Sequence, residues 1–495
     1  MAEAKRLSVL LAVVGVTDSA DQDPIVTGLA INSRDIQAGH VFVALAGHQH
    51  HGIEFAEQAE KQGAVAIFAE MPLTQDLNRQ ATHIPIYEIK QLSQKLGALA
   101  AAFYDNPSRK IKVVAVTGTN GKTSTVWLLV QALTQLGQKA AYMGTLGAGD
   151  LNALVPLANT TPSALHIQKH LAAWVNAGYD WVCLEASSHA LVQGRLNDLC
   201  IDTAVFTHIS QDHLDYHRSM AAYAEAKQRL FTDFDLRHAV INSDDGYGRQ
   251  WLQTGIKAPV VSVYGQPFKG VQHHHQARNI ELHQAGLAFQ WHHNESCDAV
   301  NSVLLGRFNV DNLLAVMAVL TELNFTPTQI SEAVTKLTPV PGRMNVIRLS
   351  HKEVTVVIDF AHTPDALAQV LSALTAHCSH ELWCVFGCGG DRDKSKRPQM
   401  GRIAEKLANH VIVTDDNPRF ESATEITADI VKGMTSKPLI IHNRKAAIEQ
   451  ALAQSVTGDV VLIAGKGHET TQQIREDFIE MNDFQVVQDW QEAAA

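Results

Sequence analysis

The stretch "VVAVTGTNGKTSTVWLLVQAL" (113–133) runs from a valine-rich strand through a glycine-bearing loop into an apolar helix. A strand that ends in such a loop and continues as a helix is the repeating unit of a parallel α/β sheet. Gly118 and Gly121 let backbone N–H groups approach phosphate oxygens, and the helix N-terminus adds partial positive charge. Lys122 supplies charge for the β- and γ-phosphates, and Thr123 a hydroxyl for Mg²⁺. The spacing is not a strict Walker A, because Val116 stands where that pattern has its first glycine.

The same habit recurs in six other places: "WVCLEASSHA", "AVFTHISQDH", "VVIDFAHTPDA", "WCVFGCGGDRD", "VIVTDDNPR" and "VVLIAGKGHE". Each apolar run ends in a polar cluster, which is where ligands gather in parallel α/β sheets. Core packing alone does not produce that pattern.

At 495 residues the chain exceeds one core, and three domains are expected. "YDNPSRK" (104–110) and "LTPVPGRMNV" (337–346) punctuate it, giving 1–109, 110–338 and 339–495. With 46% hydrophobic and 18% charged residues it reads as globular. The formal charge of −11 argues against a nucleic-acid binder, so cations for phosphate must be local. Six scattered cysteines, at 183, 200, 297, 378, 384 and 388, suggest reduced, mostly buried thiols of a cytosolic protein. "KRLSVLLAVVGV" (5–16) has the charge order of a leader but no clear cleavage site, and reads as a helix leaving into a loop. No apolar run reaches the roughly 20 residues of a transmembrane helix. "HHH" (273–275) reads as a polar loop without a ligand cage around it.

"GTNGKTS" (118–124), "EASSHAL" (185–191) and "SQDHLDYH" (210–217) together resemble the Mur ligase family, ATP-dependent amide-forming enzymes of peptidoglycan synthesis. "GRFNVDN" (306–312), "PGRM" (341–344), "DFAHTPDAL" (359–367) and "GCGGDRDKSKRPQM" (387–400) carry the likeness through the later domains. "INSRDIQAGHVFVALAGHQHHG" (31–52) resembles the UDP-binding domain of the diaminopimelate- and lysine-adding branch. The resemblance implies a small N-terminal α/β domain, a central P-loop-type ATPase domain with a parallel or mixed sheet, and a C-terminal Rossmann-like domain. It also implies a monomer acting on small molecules in the cytoplasm.

The residues it implies are specific. ATP contacts fall on Gly118, Thr119, Asn120, Gly121, Lys122, Thr123 and Ser124, with Asn309, Asn312, Arg343 and Asp359 for base and ribose. Catalysis falls on Lys122, Glu185, His213 and Lys227. Metal ligation of Mg²⁺ falls on Thr123, Glu185, His213 and Lys227, the last as a carbamate that turns a cation into an anion. Glu185 and His213 are both expected at strand ends. The UDP-sugar peptide is assigned to Ile31, Ser33, His48, Gln49, His50, Asn159, Thr160, Thr161, Ser187, Gln193 and Arg195. Taken alone, Lys227 in "YAEAKQRLF" (223–231) would be a solvated helix lysine. Phe360 departs from the family's usual tyrosine in "DFAHTPDAL".

"DNPR" is Asp416, Asn417, Pro418 and Arg419. Pro418 stiffens the turn and restricts Asn417, Arg419 offers a planar fork for a carboxylate, and the acid and amide can receive an ammonium. By resemblance this motif marks the meso-diaminopimelate adders, with Arg392, Gly465 and Glu469 completing the pocket. Diaminopimelate is lysine with an extra carboxylate, and a fork left unpaired gives discrimination on the order of 10⁴-fold. The expected reaction joins meso-diaminopimelate to UDP-N-acetylmuramoyl-L-alanyl-D-glutamate through an acyl phosphate. A lysine-adding ligase and a non-catalytic nucleotide-gated binding protein remain alternatives. ATP-grip and amine pocket fall on different domains, which implies closure during turnover.

Overall fold

The computed structural model describes residues 4–17, 23–47, 50–73, 82–283, 285–349 and 351–494. Two compact units divide the chain: 1–275 with 315–325, and 276–314 with 326–495. The fold class is α/β throughout, and each of the seven motif-bearing runs contains a strand.

Besides the short antiparallel pair Lys5–Arg6 with Ile25–Val26, the described residues of the first unit build two larger sheets. The smaller is parallel, in the order Gly28–Ala30, His40–Ala44, Ala66–Met71 and Ile86–Lys90. Its strands alternate between two cores, as period-two side chains must. Val41 and Val43 pack toward helices Leu7–Val13 and Leu92–Phe103, while Phe42 and Ala44 face the helix Ala56–Lys61. In the first helix Leu7, Leu10 and Leu11 are buried, the i, i+3, i+4 stripe of an amphipathic helix.

Six consecutive strands of the larger, mixed sheet run Val260–Tyr264, His238–Asn242, Thr203–Phe206, Lys112–Thr117, Trp181–Glu185 and Ala140–Gly144, all parallel to one another. Lys112–Thr117 lies between Thr203–Phe206 and Trp181–Glu185, with Val116 level with both Glu185 and Val205. The three histidines expected in a loop instead begin the strand His273–His283, pairing with Ser262–Tyr264. No glycine or proline interrupts them, and the parallel ladder satisfies their backbone while His275 is wholly buried.

The second unit contains a sheet ordered Asn345–Leu349, Val354–Asp359, Val460–Ala464, Leu382–Phe386, His410–Val413 and Leu439–Ile440. The first pair is antiparallel and the others are parallel. Helices Pro364–Thr375, Lys396–Leu407 and Ala423–Val431 cover one face, packing on Val357, Leu462 and Cys384. Arg444–Gln454 and Asp483–Ala494 cover the other, packing on Val356, Val385 and Ile463. With both faces covered, the middle strands are continuous apolar runs rather than alternating ones. Among the six unpaired cysteines Cys183, Cys384 and Cys388 are buried, but Cys200 and Cys297 are exposed, fewer buried thiols than composition suggested.

Candidate active site

In the first unit the phosphate loop leaves the strand Lys112–Thr117 and enters the helix Lys122–Gln135. Gly121 has φ +84°, a left-handed conformation that the tight entry requires and that glycine adopts without strain. Thr207 donates to the carbonyl of Asn120 at 2.6 Å, and Thr119 donates to that of Ser210 at 3.1 Å, so the loop is braced by the next strand's end. Lys122 folds back onto the carbonyls of Gly118 (2.9 Å) and Thr119 (2.8 Å).

Glu185 is the last residue of its strand and 1% exposed. Its carboxylate accepts from the Thr123 hydroxyl (3.0 Å), the Tyr142 hydroxyl (2.7 Å), and both the backbone N–H (2.9 Å) and hydroxyl (3.2 Å) of Thr145. Gly144 is required by that crowding, since a Cβ there would sit 2.2 Å from Glu185 Oε1. Thr123 and Glu185 are therefore adjacent hard-oxygen donors, the chemistry that suits Mg²⁺. Among the described residues no group of three or more His, Cys, Asp or Glu forms a ready metal cage.

Lys227 is not a surface lysine. It is 1% exposed, donates to the Gly118 carbonyl at 2.8 Å and lies 4.6 Å over the Tyr223 ring. Burial, and then the neighbouring Lys122 charge, hold its pKa well below the usual lysine value against a smaller pull from Asp212. A neutral amine at this position is the form that reacts with CO₂. His213 is not at a strand end. It precedes the short helix Leu214–His217 with φ +51°, half-exposed, its ring against those of His189 and Tyr223. The strand Thr203–Phe206 ends early and a six-residue loop, 207–212, intervenes.

The expected peptide-binding residues form a linked set. Thr161 donates to the Glu185 carbonyl at 2.6 Å and accepts from the Ser187 N–H at 3.1 Å. Arg195 sends two nitrogens to Gln193 Oε1 (2.9 and 2.6 Å) and a third to the Thr161 carbonyl (2.7 Å). Thr160 meets Thr145 at 3.3 Å, and Asn159 is exposed. In the smaller sheet's domain Ser33 is buried and donates to Gln58, Ile31 is half-buried, and His50 is exposed beside Glu54. His48 and Gln49 lie outside the described residues.

In the second unit Asn309 donates to the Leu305 carbonyl (2.7 Å) and accepts from Asn312 (2.9 Å), so both amides are buried in one short chain. Asp359 ends its strand, accepting the N–H groups of Met344 and Ala361, each at 2.8 Å. Burial raises its pKa, partly countered by those two bonds and by Arg343. Phe360 packs on the rings of His362 and His468.

The "DNPR" turn sits beyond the strand His410–Val413. Asn417 is turned inward: its amide donates to Glu469 (2.9 Å) and its oxygen accepts from the Gln473 N–H (2.9 Å). The expected ammonium acceptor is thus partly committed to holding the turn, and Gln472 also donates to the Asp416 carbonyl. Arg419 has φ +52°, held by bonds on both sides: its N–H donates to Gln473 O at 3.1 Å, and its carbonyl accepts from the Arg475 N–H at 2.8 Å. That uncommon conformation aims its guanidinium at the Gly390 carbonyl (2.8 Å). The exposed Arg392 lies on the same glycine-rich loop, close to Gly389 as Arg419 is. Gly465 follows its strand directly, its N–H on the Asp359 carbonyl. Lys466, not singled out from the sequence, is wholly buried and donates to Glu469 (2.9 Å) and the Thr471 carbonyl (2.6 Å). Burial would raise the Glu469 pKa, but Lys466 and Asn417 hold it below the ordinary value. Tyr142, Thr145 and Thr207 were likewise missed; "MGT" (143–145) after a strand was the available signal.

Comparison with known proteins gives three family matches: Mur ligase family, catalytic domain (25–104), Mur ligase middle domain (116–320), and Mur ligase, glutamate ligase domain (342–467). A protein of Xanthomonas campestris pv. campestris, UDP-N-acetylmuramoyl-L-alanyl-D-glutamate–2,6-diaminopimelate ligase, is 46% identical over 96% of this chain and 94% of its own. A protein of the same name from Haemophilus influenzae is 42% identical over 93% and 95%. A solved structure of a ligase of that name superposes with TM-score 0.75 and 36% identity, covering 100% of this chain and 99% of the other.

Proposed function

Because the chain belongs to the Mur ligase family, we propose that it is the ATP-dependent ligase that adds meso-2,6-diaminopimelate to UDP-N-acetylmuramoyl-L-alanyl-D-glutamate in peptidoglycan precursor synthesis. The observation that carries this reading is the Arg419–Gly390 and Asn417–Glu469 arrangement beyond the ends of three consecutive strands of the sheet. It offers a guanidinium fork and a carboxylate to one small zwitterion. Similarity to relatives of that name over nearly the whole chain supports it.

The γ-phosphoryl group of ATP passes to the glutamate carboxylate, giving an acyl phosphate and ADP. The diaminopimelate amine then attacks the acyl carbon: a C–N bond forms, the C–O bond to phosphate breaks, and inorganic phosphate leaves. Both steps gather negative charge, so oriented cations dominate. Lys122 and the helix N-terminus neutralise the phosphates. Thr123, Glu185, His213 and Lys227 as a carbamate would hold Mg²⁺, which would supply Lewis-acid charge there. The carbamate forms when the neutral Lys227 amine adds to CO₂ and releases a proton. Thr161, Ser187, Gln193 and Arg195 orient the nucleotide-sugar peptide, whose uridine end falls to Ile31, Ser33 and His50. Asn309, Asn312, Arg343 and Asp359 take the adenosine, and Arg392, Asp416, Arg419, Gly465 and Glu469 the amino acid. The domain division at 109 and 338, a cytoplasmic site and a monomeric state belong to the same reading. No helix of the described residues is long and apolar enough to cross a membrane.

Phosphate release measured with all three substrates, and with each omitted in turn, tests the reaction. Product of the expected mass should require all three. Release that ignores the amino acid contradicts it.

A further inference from the structure

Beneath the amino-acid residues of the second unit lies an ion pair with no assigned role. Arg444, the first residue of the helix Arg444–Gln454, and Asp483, the first of Asp483–Ala494, both have side chains that are 0% exposed. The pair is bidentate, Nε to Oδ1 and Nη2 to Oδ2, each 2.7 Å. Such a pair is poor value for stability alone, because removing both charges from water offsets most of their attraction. Its other bonds are more informative. Nη2 also donates to the Ala464 carbonyl at 3.1 Å, and Nη1 reaches the Asp415 carbonyl at 3.5 Å.

Those two carbonyls are special by position. Ala464 immediately precedes Gly465, and Asp415 immediately precedes Asp416. They belong to segments leaving the two strands Val460–Ala464 and His410–Val413, which are not neighbours in the sheet: Leu382–Phe386 runs between them. Those two strands therefore do not pair directly to set the distance between the "DNPR" turn and the "GKGHE" loop. Asn417 reaches Glu469 and Lys466 across that gap through side chains, and the Arg444 guanidinium joins the two backbones, its stance fixed by Asp483. The charge also lies close enough to Asp416 and Glu469 for both to favour it.

We propose that Arg444 is a positioning residue for amino-acid recognition: by tying the backbone before Asp416 to the backbone before Gly465, it sets the width of the pocket. This rests on the proposed function above. It separates Arg444 from residues that touch substrate, and it separates the two partners of the ion pair. Asp483 contributes to stability and aim, while the carbonyl bonds of Arg444 carry the recognition.

The test is steady-state kinetics of the full-length enzyme, with meso-diaminopimelate and ATP varied separately. The variants are the double substitution Arg444→Met with Asp483→Leu, which fills the space without charge, and Asp483→Asn, which keeps Arg444. For the double variant the KM for diaminopimelate should rise at least tenfold while the KM for ATP stays within twofold. Asp483→Asn should lower the melting temperature but leave the diaminopimelate KM within threefold. Should the double variant fail to fold, Arg444→Lys takes its place with the same threshold, since a lysine cannot span both carbonyls. An unchanged diaminopimelate KM overturns the proposal. So does a parallel rise for both substrates, or an Asp483→Asn effect as large as that of the double variant. If the unsubstituted enzyme makes no product with diaminopimelate, the proposed function fails first, which the control reaction reveals directly.

Discussion

Lys122 and Lys227 donate to the same acceptor, the carbonyl oxygen of Gly118, at 2.9 and 2.8 Å. Two ammonium groups on one oxygen, one of them buried, is an unfavourable state for charge. Burial and the Lys122 charge both push the Lys227 ammonium toward giving up its proton, and a carbamate would convert the repulsion into attraction.

That relationship has a pH consequence. Lys227 has a folded pKa below its unfolded value, so between the two the folded chain binds fewer protons than the unfolded one, and stability rises with pH. The window runs from the lowered value up to about 10.4. In CO₂-free buffer, denaturant titrations of Lys227→Met should show a shallower rise than the unsubstituted chain across that window. Equal slopes would mean Lys227 titrates normally. With bicarbonate, the unsubstituted enzyme should gain activity and Lys227→Met should not.

Gly144 lies where a methyl group would strike Glu185 Oε1. Gly144→Ala should displace the carboxylate from Thr123 and Tyr142 and lower kcat/KM by roughly 10²-fold, the scale of losing one preorganised electrostatic contact. The melting temperature should fall as well, because a buried carboxylate loses its hydrogen-bond donors. Wild-type kinetics would show that Glu185 need not stay where it is.

Arg419 holds its fork through a left-handed backbone anchored on Gln473 and Arg475. Arg419→Lys keeps the charge but loses the planar two-point grip, and Arg419→Ala loses both. The KM for diaminopimelate should rise by at least 10²-fold in the alanine variant, with ATP affinity unchanged, and discrimination against lysine should shrink. Separate titrations of each substrate read this out.

Lys466 is buried against Glu469. In Lys466→Met the carboxylate keeps its burial and loses its principal donor, so its pKa should move up. The acid limb of kcat/KM for diaminopimelate should shift to higher pH accordingly. Stability should follow the same sign. Glu469, with its pKa lowered by folding, stabilises the fold above its unfolded value near 4.3, and this is lost as pH falls through the folded value. The variant loses that contribution.

The α/β class was legible because each motif follows a largely buried, mostly apolar strand, a signal strong in short windows. Other features needed more than a window. Taken alone Lys227 would be a solvated helix lysine, yet it shares a helix face with Tyr223, Leu230 and Phe231, at i−4, i+3 and i+4, all buried. His213 lies past a loop rather than at a strand end, and no glycine or proline marks where Thr203–Phe206 stops. The inward turn of Asn417 depends on Gln473, more than fifty residues away. No local pattern encodes such a partner, and the same holds for the donors Tyr142 and Thr145 on Glu185.

The central claim is that the Arg419 fork admits a second amino acid bearing a far carboxylate. Amide product formed from UDP-N-acetylmuramoyl-L-alanyl-D-glutamate and ATP, with meso-diaminopimelate or lysine in parallel reactions, measures it directly. The account predicts rapid tripeptide formation with diaminopimelate and kcat/KM lower by about 10³-fold or more with lysine. Comparable rates with both, or nucleotide turnover without a peptide product, would contradict it.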